Sequence, residues 1–95
     1  MLNIALNKKI IEKIRKHIFD LVIINGGTNS IFPETILEMK KTKAKVVLTH
    51  GVAPVLSATR AEKEFVKYID FVFCIDKFHA VDWMILGAKN AVALP

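Results

Sequence analysis

Four runs in this chain carry apolar side chains at successive positions: Leu21-Val22-Ile23-Ile24, Val46-Val47-Leu48, Phe71-Val72-Phe73-Cys74-Ile75 and Ala91-Val92-Ala93-Leu94. A strand that shows one face to water alternates apolar with polar residues. A strand apolar on both faces suits a buried parallel sheet. Between the runs lie stretches with helical spacing. Leu6, Ile10, Ile11, Ile14 and Ile18 share one face, with Lys8, Lys9, Glu12, Lys13, Arg15 and Lys16 on the other. This predicts an amphipathic helix from about Leu2 to Ile18, frayed before Asn7. Pro33-Glu34-Thr35 opens a second helix: proline suits the first turn, and Glu34 favours the positive end of the helix dipole. A third spans about Ala58 to Tyr68. A fourth follows Asp76 as its cap, carries Phe78, Val81, Trp83, Met84, Ile85 and Leu86, and stops at Gly87.

Strands alternating with helices imply βαβ units with right-handed connections. The fold class is therefore α/β, a Rossmann-like parallel sheet of about four strands flanked by helices, in a single domain over 1–95. Because every strand is apolar on both faces, helices are expected on both sides of the sheet. His17–Asn25 and Lys67–Ile75 look alike, each running from a helix end through an aspartate into a strand. That is a recurring junction rather than a solenoid repeat.

Composition narrows the classes further. At 53% hydrophobic and 24% charged the chain packs a core rather than staying disordered. It is apolar for 95 residues, so a further covering surface is expected: another subunit, a second domain or additional strands. The net charge of +5 permits anionic partners without choosing one. Arginine occurs only at Arg15 and Arg60, so planar readout of phosphate or bases is sparse and no nucleic-acid partner is expected. The lysine face of the first helix can lie on an anionic membrane, although a core-facing isoleucine stripe with a solvated lysine face explains the same pattern. Cys74 is the single cysteine, so no internal disulfide forms. No signal peptide is visible before Lys8 and Lys9, and no apolar run nears the roughly 20 residues of a membrane span. Together these point to the cytoplasm.

Ligands of open parallel sheets bind beyond the carboxyl ends of the strands, which selects three loops. In the first, Asn25-Gly26-Gly27-Thr28, paired glycines let a backbone approach a ligand, or equally make a tight turn. It is neither G-x-G-x-x-G nor a phosphate-binding P-loop. The second holds His50-Gly51. An imidazole there can donate to a diphosphate or act as a base, yet nothing in the sequence pairs it with an orienting carboxylate. The third runs from Cys74 through Asp76 to His79. Asp76 reads first as a cap, His79 as a first-turn residue able to face the same crevice, and Cys74 as a small buried apolar group. His17, His50 and His79 lack metal-ligand spacing, so no metal is expected, and no nucleophile triad is legible.

The segments FDLVIINGG, PETILEMKKTKAKVVLTHG and YIDFVFCIDKFHAVDWMILGAKNAVALP, in that order and spacing, resemble the CgeB-type (spore-maturation) glycosyltransferases. The resemblance covers nearly the whole chain and is most specific over Tyr68–Pro95. It departs at Phe19, where proline is usual, and at His50-Gly51, where an acidic, aromatic-containing loop is common. The resemblance implies a two-domain GT-B enzyme that moves a sugar from a nucleotide-sugar donor to an acceptor hydroxyl without a bound metal. This chain corresponds to the later part of the N-terminal, acceptor-side domain. The nucleotide sugar would bind mainly to a second domain beyond it, so the chain alone is expected to be inactive. Cleft-facing groups are then Asn25, Gly26, Gly27, Thr28, His50, Gly51, Asp76 and His79, with no general base assigned. Partners would be a sugar acceptor and, through that second domain, a nucleotide sugar, with self-association or a partner domain as options. The competing reading is a non-catalytic α/β binding or interaction module. A different Rossmann-type enzyme would want the missing G-x-G-x-x-G loop.

Overall fold

The computed structural model describes residues 2–26, 29–51 and 58–93. Its elements are α1 (Leu2–Lys16), β1 (Leu21–Asn25), α2 (Pro33–Lys40), β2 (Lys45–His50), α3 (Arg60–Phe65) running into a 3-10 turn (Val66–Tyr68), β3 (Phe71–Cys74), α4 (Lys77–Ile85) and β4 (Ala91–Ala93). All four strands are parallel and lie in the order β1-β2-β3-β4. The α/β reading from the apolar runs holds.

The helix boundaries follow local chemistry. Pro33 starts α2. Thr59 and Glu62 make a reciprocal capping box at the start of α3. The Asp76 carboxylate accepts from the Phe78 N–H at 2.7 Å and caps α4, as its position suggests. α4 ends in a pair of bonds, Gly87 N–H to the Met84 carbonyl and Ala88 N–H to the Trp83 carbonyl, around Gly87 at a φ of 112°. That backbone region favours glycine, because a side chain there meets its own carbonyl.

α1 is helical through the residues expected to fray, and Asn7 explains why. Its side chain is buried and makes four hydrogen bonds. The amide nitrogen donates to the carbonyls of Asn3 and Ser30, both at 2.6 Å; the amide oxygen accepts from the Phe32 N–H (3.0 Å) and the Thr35 hydroxyl (2.5 Å). A buried amide with its donors and acceptor satisfied fixes α1 on the start of α2.

Register divides the sheet into two faces. Ile24, Leu48 and Val72 stand side by side across β1, β2 and β3, with Ala91 beside Val72. They belong to the single core cluster, with Ile14 from α1, Ile36 and Met39 from α2, Phe65 from α3, and Trp83 from α4. Ile23, Val47 and Phe71 stand side by side on the other face, as do Phe73 and Val92; none belongs to the core cluster, although Val47 is itself buried at 5% exposure. Ile23 is 60% exposed, Leu21 51%, Val92 40% and Phe71 38%.

The helices thus pack on one face, contrary to the expectation of cover on both. The reason is topological. Each connection steps the same way along the sheet, and right-handed connections that step the same way land on the same side. Covering both sides requires a reversal of strand order, and the described strands contain none.

Asp70 ties the amino-terminal end of the sheet. Its carboxylate accepts both contacts of the Lys40 ammonium, at 2.6 and 2.7 Å, and the Val46 N–H at 2.8 Å; its own N–H donates to the Val46 carbonyl. Burial pushes this carboxyl's pKa up, but the Lys40 and Val46 hydrogen bonds and the charges of Lys40 and Lys45 outweigh it and hold the group below its ordinary value. One side chain joins α2, β2 and β3.

Candidate functional site

A cleft of about 490 Å³ opens beyond the carboxyl ends of β1, β2 and β3, lined by Asn25, Gly26, Thr49, His50, Gly51, Phe73, Cys74 and Ile75. Parallel alignment brings these positions together: Asn25 pairs with Thr49, and His50 with Cys74. Of the residues singled out in the sequence, Asn25, Gly26, His50 and Gly51 meet here. Gly27 and Thr28 lie outside the described residues. Asp76 and His79 are not part of the lining. Asp76 is engaged at its cap, and His79 sits in the first turn of α4 with a buried Nδ1 that has no hydrogen-bond partner among the described residues.

Gly26 is needed for a local reason. A β-carbon there would lie 2.5 Å from Cδ2 of His50 and 2.6 Å from the Thr49 carbonyl oxygen. Its N–H already donates to that oxygen at 2.7 Å. The close approach of two backbones, not an unusual φ, demands glycine. Beside it the Thr49 hydroxyl donates to the Asn25 side-chain oxygen at 3.2 Å, which orients the exposed Asn25 amide at the cleft mouth.

His50 is buried and flanked on the core side. Glu62, fully buried on α3, brings Oε1 to 3.6 Å from the imidazole Nε2. That is an ion-pair distance, longer than a hydrogen bond. The same oxygen accepts the Thr59 N–H at 2.9 Å. Trp83 packs edge-on against the imidazole, with ring centres 5.1 Å apart at 70°. The sequence offered His50 no orienting carboxylate; the fold supplies Glu62, twelve residues on. Its visible trace was Thr59-Arg60-Ala61-Glu62, the spacing of a capping box, which announces a helix start but not a histidine neighbour.

Cys74 borders the cleft as a buried thiol whose thiolate form is disfavoured. Burial raises its pKa, the Asp76 charge adds to that, and the Asp76 carbonyl contact opposes it without prevailing. The sulfur lies 3.5 Å from the Val92 carbonyl. The sequence reading of Cys74 as a small buried group holds. Among the described residues no cluster of His, Cys, Asp and Glu could hold a metal ion. Among the described residues no lysine, arginine, aspartate or glutamate lines the cleft. Chemically the pocket offers backbone amides, two short polar side chains, one buried imidazole and an apolar wall from Phe73 and Ile75.

No helix of the described residues is long and apolar enough to cross a membrane. No protein-family model, no curated protein and no solved structure matches this chain.

Proposed function

We propose that the chain is the acceptor-side α/β unit of a two-domain, GT-B-type sugar transferase of the kind it resembles, and that the cleft at the carboxyl ends of β1–β3 receives the acceptor. The observation that carries this reading is the chemistry of the lining. Asn25, Thr49 and the backbone around Gly26 and Gly51 suit neutral hydroxyls, and Phe73 and Ile75 offer an apolar wall of the kind a sugar ring packs on. A nucleoside diphosphate wants cations or a glycine-rich helix start, and no lysine or arginine is found among the described lining residues. The donor would therefore bind to a second domain. Asn25 and Thr49 at the cleft mouth are the side chains best placed to contact an acceptor hydroxyl, with buried His50, backed by Glu62, behind them.

The test is amide-resolved NMR on the chain itself, titrated separately with methyl glycosides of glucose, galactose and N-acetylglucosamine and with uridine diphosphate. At least one glycoside is expected to shift the Gly26, His50 and Gly51 amides saturably, with no shift there from uridine diphosphate and no sugar transfer by the chain alone. The reverse pattern, or glycosides that leave these amides unmoved, overturns the reading.

A second reading, a non-catalytic α/β binding module, draws on two observations: no carboxylate is found among the described lining residues, and burial disfavours the Cys74 thiolate. It predicts that a peptide or protein ligand, and no glycoside, moves the same amides.

A further inference from the structure

The described sheet has two edge strands, β1 and β4, and they differ. β4 is three residues long, and so short an edge offers a neighbour little to pair with. β1 is five residues long, Leu21-Val22-Ile23-Ile24-Asn25, with no charge and no proline along it. Its two ends reveal which backbone groups point which way. The Asp20 carbonyl accepts from the Lys45 N–H at 2.9 Å, and the Gly26 N–H donates to the Thr49 carbonyl at 2.7 Å. In a parallel ladder alternate residues turn their backbone groups to opposite neighbours. Asp20, Val22, Ile24 and Gly26 therefore face β2. The N–H and C=O groups of Leu21, Ile23 and Asn25 face the other way, where no described strand pairs with them.

A slot of about 380 Å³ runs beside this edge, between the Leu6 and Ile10 flank of α1 and the strand itself, with Ile31 and Met39 at its back. A strand added in register would send side chains into it from the positions opposite Val22 and Ile24, which pack on the helix side of the sheet. Leu6 and Ile10 also belong to a second hollow of about 500 Å³ on the same flank of α1, lined by Lys9, Lys13, Lys16 and His17 together with the carboxylate Glu12. None of these three lysines makes an ion pair among the described residues. Four residues separate Lys16 from Leu21, and Arg15 and His17 share a hollow with Thr42 and Lys43, just before β2. The basic end of α1 thus lies at the end of the sheet where β1 and β2 begin.

We propose that β1 accepts an extended, apolar strand from a partner polypeptide, parallel to it and carrying carboxylates at its amino-terminal end that meet Lys13 and Lys16. Outward backbone donors and acceptors in a row select an extended chain, because only another strand pairs with all of them. Charge sets the direction: a parallel strand brings its amino-terminal end to these lysines, an antiparallel one its carboxyl-terminal end. A second copy pairing through β1 would be antiparallel by its two-fold symmetry. It would also set two α1 helices side by side, each with five basic residues against Glu12 alone, which opposes that pairing. This edge is distinct from the cleft and does not depend on the sugar-transfer reading.

The test titrates the chain with two synthetic peptides, blocked at both termini, that share one valine- and isoleucine-rich core. Glutamates precede the core in the first and follow it in the second. Calorimetry should show the first binding about five-fold more tightly, the worth of a few exposed ion pairs. Amide hydrogen exchange in the complex should slow at Leu21, Ile23 and Asn25 and stay unchanged at Val22 and Ile24, whose N–H groups already face β2. Ile23→Pro removes an outward N–H and should abolish binding. Proline is tolerated where an edge strand's N–H faces solvent, so the melting temperature of this variant should stay near that of the parent, which separates lost docking from lost folding. Replacing Lys13 and Lys16 together by glutamate should reverse the preference between the peptides. Four results would overturn the proposal: protection that is absent or spread evenly along β1, equal affinity for the two peptides, unchanged binding by Ile23→Pro, or a dimer by light scattering in which the outward amides are already protected.

Discussion

A β-carbon on Gly26 would stand 2.5 Å from the imidazole Cδ2 of His50, so the residue just after the first strand shapes the position of the histidine that ends the second. The two are 24 positions apart in sequence and directly follow the paired residues Asn25 and Thr49. Gly26→Ala must displace either the His50 ring or the Thr49 carbonyl, and neither is the free end of a flexible side chain. The expected loss of stability is about 1–3 kcal/mol, as for other overpacked sites. Gly51→Ala is the matched control. Among the described residues its β-carbon would meet Ile75 Cδ1 alone, at an ordinary 3.7 Å, so the change should stay within about 0.5 kcal/mol. Urea denaturation of the two variants checks the contrast; equal losses would remove the packing argument.

Asp70 predicts a dependence on pH. Its folded pKa lies below the ordinary value, so folding favours the charged form. Stability from this group is fully present above the unfolded pKa, about 3.9, and is lost as pH falls through the lower folded value. Asp70→Asn keeps the shape but loses the charge-assisted bonds to Lys40, and should cost roughly 1–3 kcal/mol near pH 7. The gap between parent and variant should hold down to about pH 5 and narrow below about pH 4. A gap that widens on acidification would reverse the assignment.

These two sites differ in how far the sequence announced them. The apolar runs and the aspartates before β1 and β3 were legible, because burial and strand entry leave marks in the sequence. The Asp70 bonds were not, since Lys40 lies 30 positions away and only the β2–β3 pairing brings it near. Of the loop residues picked from strand ends, Asn25, Gly26, His50 and Gly51 meet because parallel strands end together. Asp76 was legible as a cap, and the Phe78 N–H takes its carboxylate as that reading requires. The one-sided packing was hidden for a different reason: apolar residues on both faces specify that both need cover, not that this chain supplies it.

Asn7 carries a third prediction. Asn7→Ala leaves the Phe32 N–H and Thr35 hydroxyl without the oxygen that accepts them. A loss of about 1–3 kcal/mol is expected from these buried donors. The effect should concentrate in α1 and in the start of α2. Amide hydrogen exchange should therefore rise in Leu2–Lys16 and around Phe32–Thr35 while β2 and β3 keep their protection. Uniform acceleration across the sheet would mean that Asn7 supports global folding rather than the docking of α1.

Cys74 predicts slow thiol chemistry. The thiol is 3% exposed, and burial first, then the Asp76 charge, disfavours the thiolate that reacts. Alkylation by iodoacetamide at pH 7 should be at least about ten-fold slower in the native chain than in urea, where the thiol regains its free pKa of about 8.5. Rapid native labelling would place the sulfur at an open cleft wall.

Glu62 separates two roles held by one side chain. It completes the α3 capping box through the Thr59 N–H and sets a carboxylate beside His50. Gln at this position of a capping box also satisfies the backbone donor, so Glu62→Gln should preserve the cap. Glu62→Ala removes both functions and should cost about 1 kcal/mol for the cap, with a further loss for the cavity left in a fully buried site. If the carboxylate positions His50, Glu62→Gln should change the His50 ring resonances and weaken glycoside-induced shifts at Gly26 and Gly51 while leaving the α3 amides as they are. If Glu62 serves only the helix, the glutamine variant should be silent at the cleft, and only the alanine variant should perturb it, through loss of structure.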